Sequence, residues 1–247
     1  MRVVVTRPDV SGQRTARQLI DMGHTPVLMP LTQPAHDGMA AKAALSQPHG
    51  ALAITSAEVL RALEPYAGEI GPALQTTLFS VGEATSVTAQ HLGFETILTA
   101  GGNGADLAEL IATHRHLVEV PQGTLLYLAG SPRAPVFEDA LRQYGVHFQT
   151  VECYKMLPLM WSEAQLRRLF LPGRPDAVLF YSAEAARLFF ETVAPLENSG
   201  FLAQTRFVCI SENVADKVPE NYRARSAVSE IPLERAMLAL LNVELGT

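Results

Sequence analysis

Cysteine, long apolar runs and excess positive charge are all scarce in this chain, and each scarcity removes a class of function. Only two cysteines occur in 247 residues, Cys153 and Cys209, and neither belongs to a CxxC pair. Both lie in apolar runs that read as strands, so two buried thiols in a reducing compartment are expected rather than a disulfide. No apolar run reaches the roughly 20 residues that span a bilayer. Lys and Arg number 19 against 25 Asp and Glu, a formal net charge of −6. A nucleic-acid surface needs the opposite sign. A GxSxG elbow, an HExxH helix, a DxD carboxylate pair, a Walker A loop and a GxGxxG turn are all missing. The seven histidines are scattered, and His114-Arg115-His116 has no carboxylate or cysteine at ligand spacing. A solvated helix end is expected there, and neither a metal nor a cofactor is expected anywhere. Gly101-Gly102-Asn103-Gly104 reads as a mobile loop entering a helix. The opening Met1-Arg2-Val3-Val4-Val5 runs straight into a strand without a signal-peptide pattern, so the cytoplasm is the expected location.

The composition that remains is that of a core-forming chain. Hydrophobic residues make up 48% and charged residues 18%, which excludes a disordered polymer. Aromatics are only 7%, so the core is expected to rest on Ala, Val, Leu and Ile. Short apolar runs alternate with amphipathic segments. Strands are predicted at Val3–Val5, Pro26–Leu31, Ala51–Ile54, Thr77–Val81, Thr96–Leu98, Leu125–Leu128, Phe148–Tyr154, Ala177–Phe180 and Arg206–Ile210, with a weak one around Ala224–Val228. Helices fall between them, several stopped by a glycine such as Gly23, Gly93 or Gly145. This alternation is the signature of parallel sheets with crossover helices.

The chain also repeats. Ala51-Leu-Ala-Ile-Thr-Ser-Ala-Glu58 matches Ala177-Val-Leu-Phe-Tyr-Ser-Ala-Glu184, placing Ser56 and Ser182 126 residues apart. The helix end at Gly23 and the following strand parallel those at Gly145, and Thr77–Glu83 parallels Arg206–Glu212. Three matches in one order at nearly constant spacing imply two copies of one α/β unit.

Ligands of open parallel sheets bind outside the carboxyl ends of the strands. Small and hydroxyl residues recur there, in Thr55-Ser56-Ala57-Glu58, Val81-Gly82-Glu83-Ala84-Thr85, Gly130-Ser131-Pro132-Arg133, Tyr181-Ser182-Ala183-Glu184 and Ser211-Glu212-Asn213. Each precedes a helix, whose first-turn amides lack internal acceptors and lie at the positive end of the dipole. Taken singly, Ser56 and Ser182 read as N-caps. Taken together, such turns on two facing edges would line a cleft rich in donors for an anion.

These pieces, in this order, resemble the uroporphyrinogen-III synthase family over nearly the whole chain. The resemblance is carried by Val5-Thr6-Arg7-Pro8, by Ile54-Thr55-Ser56 with Val59 and Arg61-Ala62-Leu63, and by Val81-Gly82-Glu83-Ala84-Thr85 with Leu92-Gly93. Gly101-Gly102-Asn103 to Leu107, Val151-Glu-Cys-Tyr154 and Phe180-Tyr181-Ser182 complete it. It implies two flavodoxin- or Rossmann-like parallel-sheet domains joined by two extended strands. Residues 1–32 with 157–247 would form one domain and 38–151 the other, with connections at about 31–37 and 152–158. The implied reaction is cyclisation of hydroxymethylbilane to uroporphyrinogen III, with loss of water and inversion of ring D. Tyr154 matches the family tyrosine proposed to assist hydroxyl departure. Arg7, Thr55, Ser56, Ala57, Gly82, Ala84, Thr85, Gly130, Ser131, Tyr181, Ser182, Ala183 and Asn213 are the implied substrate contacts. The only expected partner is the small-molecule substrate, with no nucleic acid and no membrane, and the expected state is a monomer.

Two stretches depart from the family pattern. Ser211-Glu212-Asn213-Val214 stands where hydroxyl donors are usual, and Ala129-Gly130-Ser131-Pro132-Arg133 displaces an arginine. Two other readings share the α/β pattern: a non-catalytic two-domain protein that closes on a small anion, and a transferase with a nucleotide or sugar donor. The second lacks a phosphate loop and an acidic metal motif here.

Overall fold

The computed structural model describes residues 1–121 and 123–242. The chain divides into two compact units, Met1–Gln33 with Leu157–Thr247, and Pro34–Met156. It opens with β1 (Arg2–Val5), α1 (Asp9–Asp21) and β2 (Thr25–Leu28), then leaves the first unit along β3 (Thr32–His36). The second unit follows with α2 (Gly38–Leu45), β4 (Ala51–Ile54), α3 (Ala57–Leu63), β5 (Leu78–Val81), α4 (Glu83–Leu92) and β6 (Ile97–Ala100). After α5 (Gly104–Thr113), α6 (Arg115–Val118), β7 (Leu125–Ser131) and α7 (Val136–Gln143), the long strand β8 (Phe148–Pro158) leads back. The first unit is completed by α8 (Glu163–Phe170), β9 (Ala177–Phe180), α9 (Ala183–Val193), β10 (Arg206–Cys209), α10 (Glu212–Ala215), α11 (Glu220–Arg223), β11 (Ser226–Val228) and α12 (Glu234–Ala239).

The first unit's sheet has the order β2-β1-β9-β10-β11, and its pairs are parallel. Counted within the unit, that is the 2-1-3-4-5 order of flavodoxin-like folds, with its switch point between β1 and β9. A parallel sheet covered by helices on both faces buries both sides of each strand, which is why Val3, Val4 and Val5 and all of Ala177–Phe180 are shut off from solvent. One face packs Val3, Val5, Leu19, Leu179 and Met237. The other carries a concentration of rings that a chain poor in aromatics did not foretell. Phe180 meets Phe189 edge-on at 5.3 Å and stacks on Phe207 at 6.1 Å, with Phe190 and Tyr222 beside them. Trp161 closes this layer and donates its indole N–H to the Pro30 carbonyl at 2.9 Å.

The second unit's sheet has the order β3-β8-β7-β4-β5-β6. Its β7–α7–β8 stretch occupies the place that β1–α1–β2 holds in the first unit, and β4, β5 and β6 match β9, β10 and β11. The second unit is thus the same fold circularly permuted, as the ordered sequence repeats require. The extra strand β3 lies on the edge beyond β8, the position in a sheet where Pro34 costs no ladder bond. Helix α2, unmarked by sequence periodicity, is capped by Asp37, whose side chain accepts from Ala40 N at 3.0 Å. Helix α1 begins at Asp9, where Pro8 sits in N-cap position and Asp9 puts an acidic residue in the first turn. The glycine-rich stretch before α5 is a capping box: Asn103 accepts from Ala105 N at 2.7 Å, and Asp106 accepts from Asn103 N at 2.7 Å.

Phe180 is fully buried among three other rings. Replacing it with alanine is expected to lower unfolding free energy by about 3–5 kcal/mol, read as a fall in the denaturant midpoint.

Candidate functional site

In the second unit the adjacent strands β7, β4 and β5 are parallel, so their carboxyl ends reach one edge of the sheet together. Thr55 follows β4, and its hydroxyl meets the Tyr127 phenol at 3.0 Å. Burial, the largest influence, pushes the Tyr127 phenol above its ordinary range, partly offset by that hydrogen bond. Ser56 is the N-cap of α3 and accepts from Glu58 N at 3.2 Å, and Ala57 opens the helix. Gly82 follows β5 with φ 73, a backbone that a residue with a Cβ adopts only under strain, and it caps α4. Behind it Ala84 is exposed and Thr85 buried. Gly130 and Ser131 are the last two residues of β7.

Tyr154 reaches this edge because of a local defect in the ladder. The β7–β8 register pairs Ala129 with Glu152 and then Gly130 with Tyr154, so Cys153 is the extra residue. Alternation would put Cys153 and Tyr154 on opposite faces, whereas both pack against the same cluster of Leu52, Ile54 and Leu128. A bulge re-aims side chains in this way. The Tyr154 ring lies directly over Gly130, where an added Cβ would sit 2.1 Å from Cζ and 2.4 Å from the phenol oxygen. Burial above all raises the Tyr154 phenol above its ordinary range; the Ser56 hydrogen bond opposes this and the Glu58 carboxylate reinforces it. The group is a protonated donor at neutral pH. Sequence reasoning missed four neighbours. His36 Nε2 meets Glu58 Oε2 at 2.9 Å, Arg61 pairs with the other Glu58 oxygen, and Tyr127 anchors Thr55. Of these, only Glu58 and Arg61 lay in stretches that the repeat or the resemblance had marked.

In the first unit the structure brings Arg7, after β1, and Tyr181, after β9, together across the switch point, with the guanidinium 4.2 Å from the ring centroid. Neither is free. Glu234 Oε1 accepts from Arg7 at 2.8 Å, from Thr15 at 2.6 Å and from Tyr181 at 2.9 Å. Nothing in the sequence marked Thr15 or Glu234. Ser182 caps α9, accepting from Ala185 N at 3.1 Å, and Ala183 opens that helix. Asn213 is exposed within the one-turn helix α10. Arg133, the displaced arginine of the second unit, is engaged by Glu138 and Glu152, each at 2.9 Å. Both thiols are buried, which pushes Cys153 and Cys209 up to about 12 and leaves them inert. Among the described residues no helix is long and apolar enough to cross a membrane.

The fold and these turns define a class: proteins of two doubly wound α/β units with ligand-type turns at the strand ends. A family model described as uroporphyrinogen-III synthase HemD matches residues 13–239, and the chain belongs to the uroporphyrinogen-III synthase family. Its reaction is the cyclisation of hydroxymethylbilane in tetrapyrrole biosynthesis. The solved uroporphyrinogen-III synthetase of Helicobacter pylori is similar over 98% of this chain and 99% of its own, with 17% identity and a TM-score of 0.65. A mutant uroporphyrinogen III synthase from Thermus thermophilus is similar over 98% of this chain and 96% of its own, with 19% identity and a TM-score of 0.55. Both likenesses are of fold. No curated protein matches the sequence.

Burial alone would raise the Glu234 carboxyl, but hydrogen bonds from Thr15 and Tyr181 and the charge of Arg7 outweigh it and hold the group below its ordinary 4.5. A depressed carboxyl contributes stability that is complete above the unfolded value of 4.5 and fades as pH falls through the folded one. The stability gap between wild type and Glu234→Gln is therefore expected to be widest near neutral pH and to close below about pH 4.5, as measured by chemical denaturation across the acid range.

Proposed function

We propose that ring closure is promoted at the carboxyl edge of the second unit's sheet, with Tyr154 assisting departure of the substrate hydroxyl. Thr55, Ser56, Ala57, Gly82, Ala84, Thr85, Gly130 and Ser131 supply contacts to the substrate's acetate and propionate groups from that edge. In the first unit Ser182 and Ala183 open α9 with a comparable turn, whereas Arg7 and Tyr181 are held by Glu234. The observation that carries this reading is the seating of the phenol. It lies over Gly130, next to the Ser56 cap, as a protonated donor at the end of a switch-point strand. First-turn amides of α3, α4 and α9 lie beyond the intrahelical ladder and suit carboxylates.

The substrate closes unaided to the wrong isomer, so the protein's larger task is geometric: holding the chain so that attack falls at the substituted carbon of ring D. Proton donation to the leaving hydroxyl adds to that. The separate cores of the two units support their reading as two domains, residues 1–32 with 157–247 and residues 38–151, linked at 31–37 and 152–158. The inert, buried thiols suit a cytoplasmic enzyme, and we propose that it acts as a monomer.

Hydroxymethylbilane generated enzymatically, with the product isomers resolved, tests the whole reading. Tyr154→Phe is expected to slow formation of isomer III several-fold with its thermal midpoint unchanged, and wild-type turnover would remove the phenol's role. Gly130→Ala pushes a methyl group into the phenol ring and is expected to lower kcat at least as much as Tyr154→Phe. Normal kcat in a folded Gly130→Ala protein would show that the seating of the ring is irrelevant.

A further inference from the structure

We propose that His36, oriented by Glu58, is a second proton-transfer residue of the cyclisation, taking up the proton released on ring closure while Tyr154 serves the departing hydroxyl. This rests on the reading of Tyr154 given above and adds to it a group that neither the family model nor the sequence pattern marks.

The imidazole has the arrangement expected of a positioned base. Its Nε2 faces Glu58 Oε2 at 2.9 Å. In the neutral ring, the nitrogen against a carboxylate is the one that carries the hydrogen and donates it, which leaves the lone pair on Nδ1. Among the described residues Nδ1 has no hydrogen-bond partner, and the side chain remains about one-third exposed. Glu58 is itself immobilised. It stands in the first turn of α3, only 11% of its side chain is exposed, and its other oxygen is paired with Arg61. A carboxylate that needed only a counter-ion has one in Arg61; the imidazole is a further partner. The His36 ring meets the Tyr154 ring edge-on, with centroids 6.4 Å apart and planes at 72°. Base, orienting acid and phenol thus form one group at the strand ends of the second unit.

The reaction needs two proton movements that cancel. The C–O bond of the hydroxymethyl group breaks and its oxygen leaves as water, taking a proton from the Tyr154 phenol. The substituted carbon of ring D attacks the resulting electrophile and loses no hydrogen; its older bond to the bridging methylene then breaks, and that methylene carbon rebonds to the free α-carbon of ring D, whose proton departs to Nδ1 of His36 while its bonding pair returns to the ring. The imidazolium is stabilised by Glu58 and returns the proton to the phenolate, directly or across one water molecule. No oxidant, reductant or net proton is required. The Glu58 carboxylate also opposes persistence of the phenolate.

The test uses the full chain with enzymatically generated hydroxymethylbilane, reading kcat, KM and the isomer ratio for His36→Ala, His36→Gln, Glu58→Gln and Tyr154→Phe, with and without added imidazole. His36→Ala is expected to lose about 10- to 100-fold in kcat with little change in KM, and imidazole is expected to restore part of the loss. Glu58→Gln is expected to lose kcat without rescue, because its imidazole is present but unoriented. Wild-type kcat in His36→Ala, or a loss in the folded variant that imidazole does not relieve, would overturn the proposal. Should His36→Ala fail to fold, wild-type kcat in His36→Gln overturns it equally. Loss in Tyr154→Phe with none in His36→Ala removes the imidazole's role alone, whereas full activity in Tyr154→Phe removes the phenol reading and this inference with it.

Discussion

Parallel pairing sends the carboxyl ends of neighbouring strands to one edge, and each crossover helix then starts at that edge with its first amides unsatisfied. In both units of this protein that constraint collects the chemically useful residues, because β1 and β9 in one, and β7, β4 and β5 in the other, end side by side. Ser56 and Ser182 occupy equivalent caps, with φ −152 at both and ψ of 140 and 152. The equivalence is geometric: a middle strand, one extended residue whose hydroxyl binds the first turn, then a helix. Turns of this kind present backbone donors at a strand edge, which is the arrangement our proposal assigns to the substrate's carboxylates.

The proposed contacts would meet a polyanion on a chain of net charge −6, and the state of the arginines in each unit bears on how. Arg7 is paired with Glu234, Arg61 with Glu58, and Arg133 with both Glu138 and Glu152. These arginines are thus paired within the protein, so on the proposed reading the groups left to meet carboxylates are amides and hydroxyls. Neutral donors at helix starts are fixed by the backbone and need no counter-ion, which makes global charge a poor guide to what this edge can bind.

The strands, the α/β class and the duplication were legible because they rest on period and order, which a sequence displays directly. The circular relation between the units was hidden only in its topology: the three repeats already paired Gly23 with Gly145 and Ser56 with Ser182, as the sheet orders demand. Tyr154 was singled out by its family match, but the bulge that seats its ring was not, since a ladder irregularity at Ala129/Gly130 leaves no mark on local composition. Glu234, Thr15 and His36 were illegible for a plainer reason. Each acts through a partner far away in the chain, 227 residues for Glu234 and Arg7, and no local spacing encodes such a contact. The Phe180 cluster was missed because the aromatic fraction averages over the chain, and one face of one sheet took a disproportionate share.

Two copies of one fold need not keep two equal sites, and their switch points show how they diverge. In the first unit an internal carboxylate, Glu234, collects three donors on one oxygen, so Arg7, Thr15 and Tyr181 satisfy the protein itself. The cost of burying that carboxylate is offset by those bonds, and the result ties α12 to the ends of β1 and β9. In the second unit the corresponding place holds phenols and hydroxyls instead: Tyr127 on Thr55, and Tyr154 over Gly130 beside Ser56. Hydroxyls can donate outward while accepting inward, whereas a filled ion pair cannot. On the proposed reading the asymmetry gives fastening to one copy and proton chemistry to the other, and it arises from a handful of side chains on a backbone plan that both copies share.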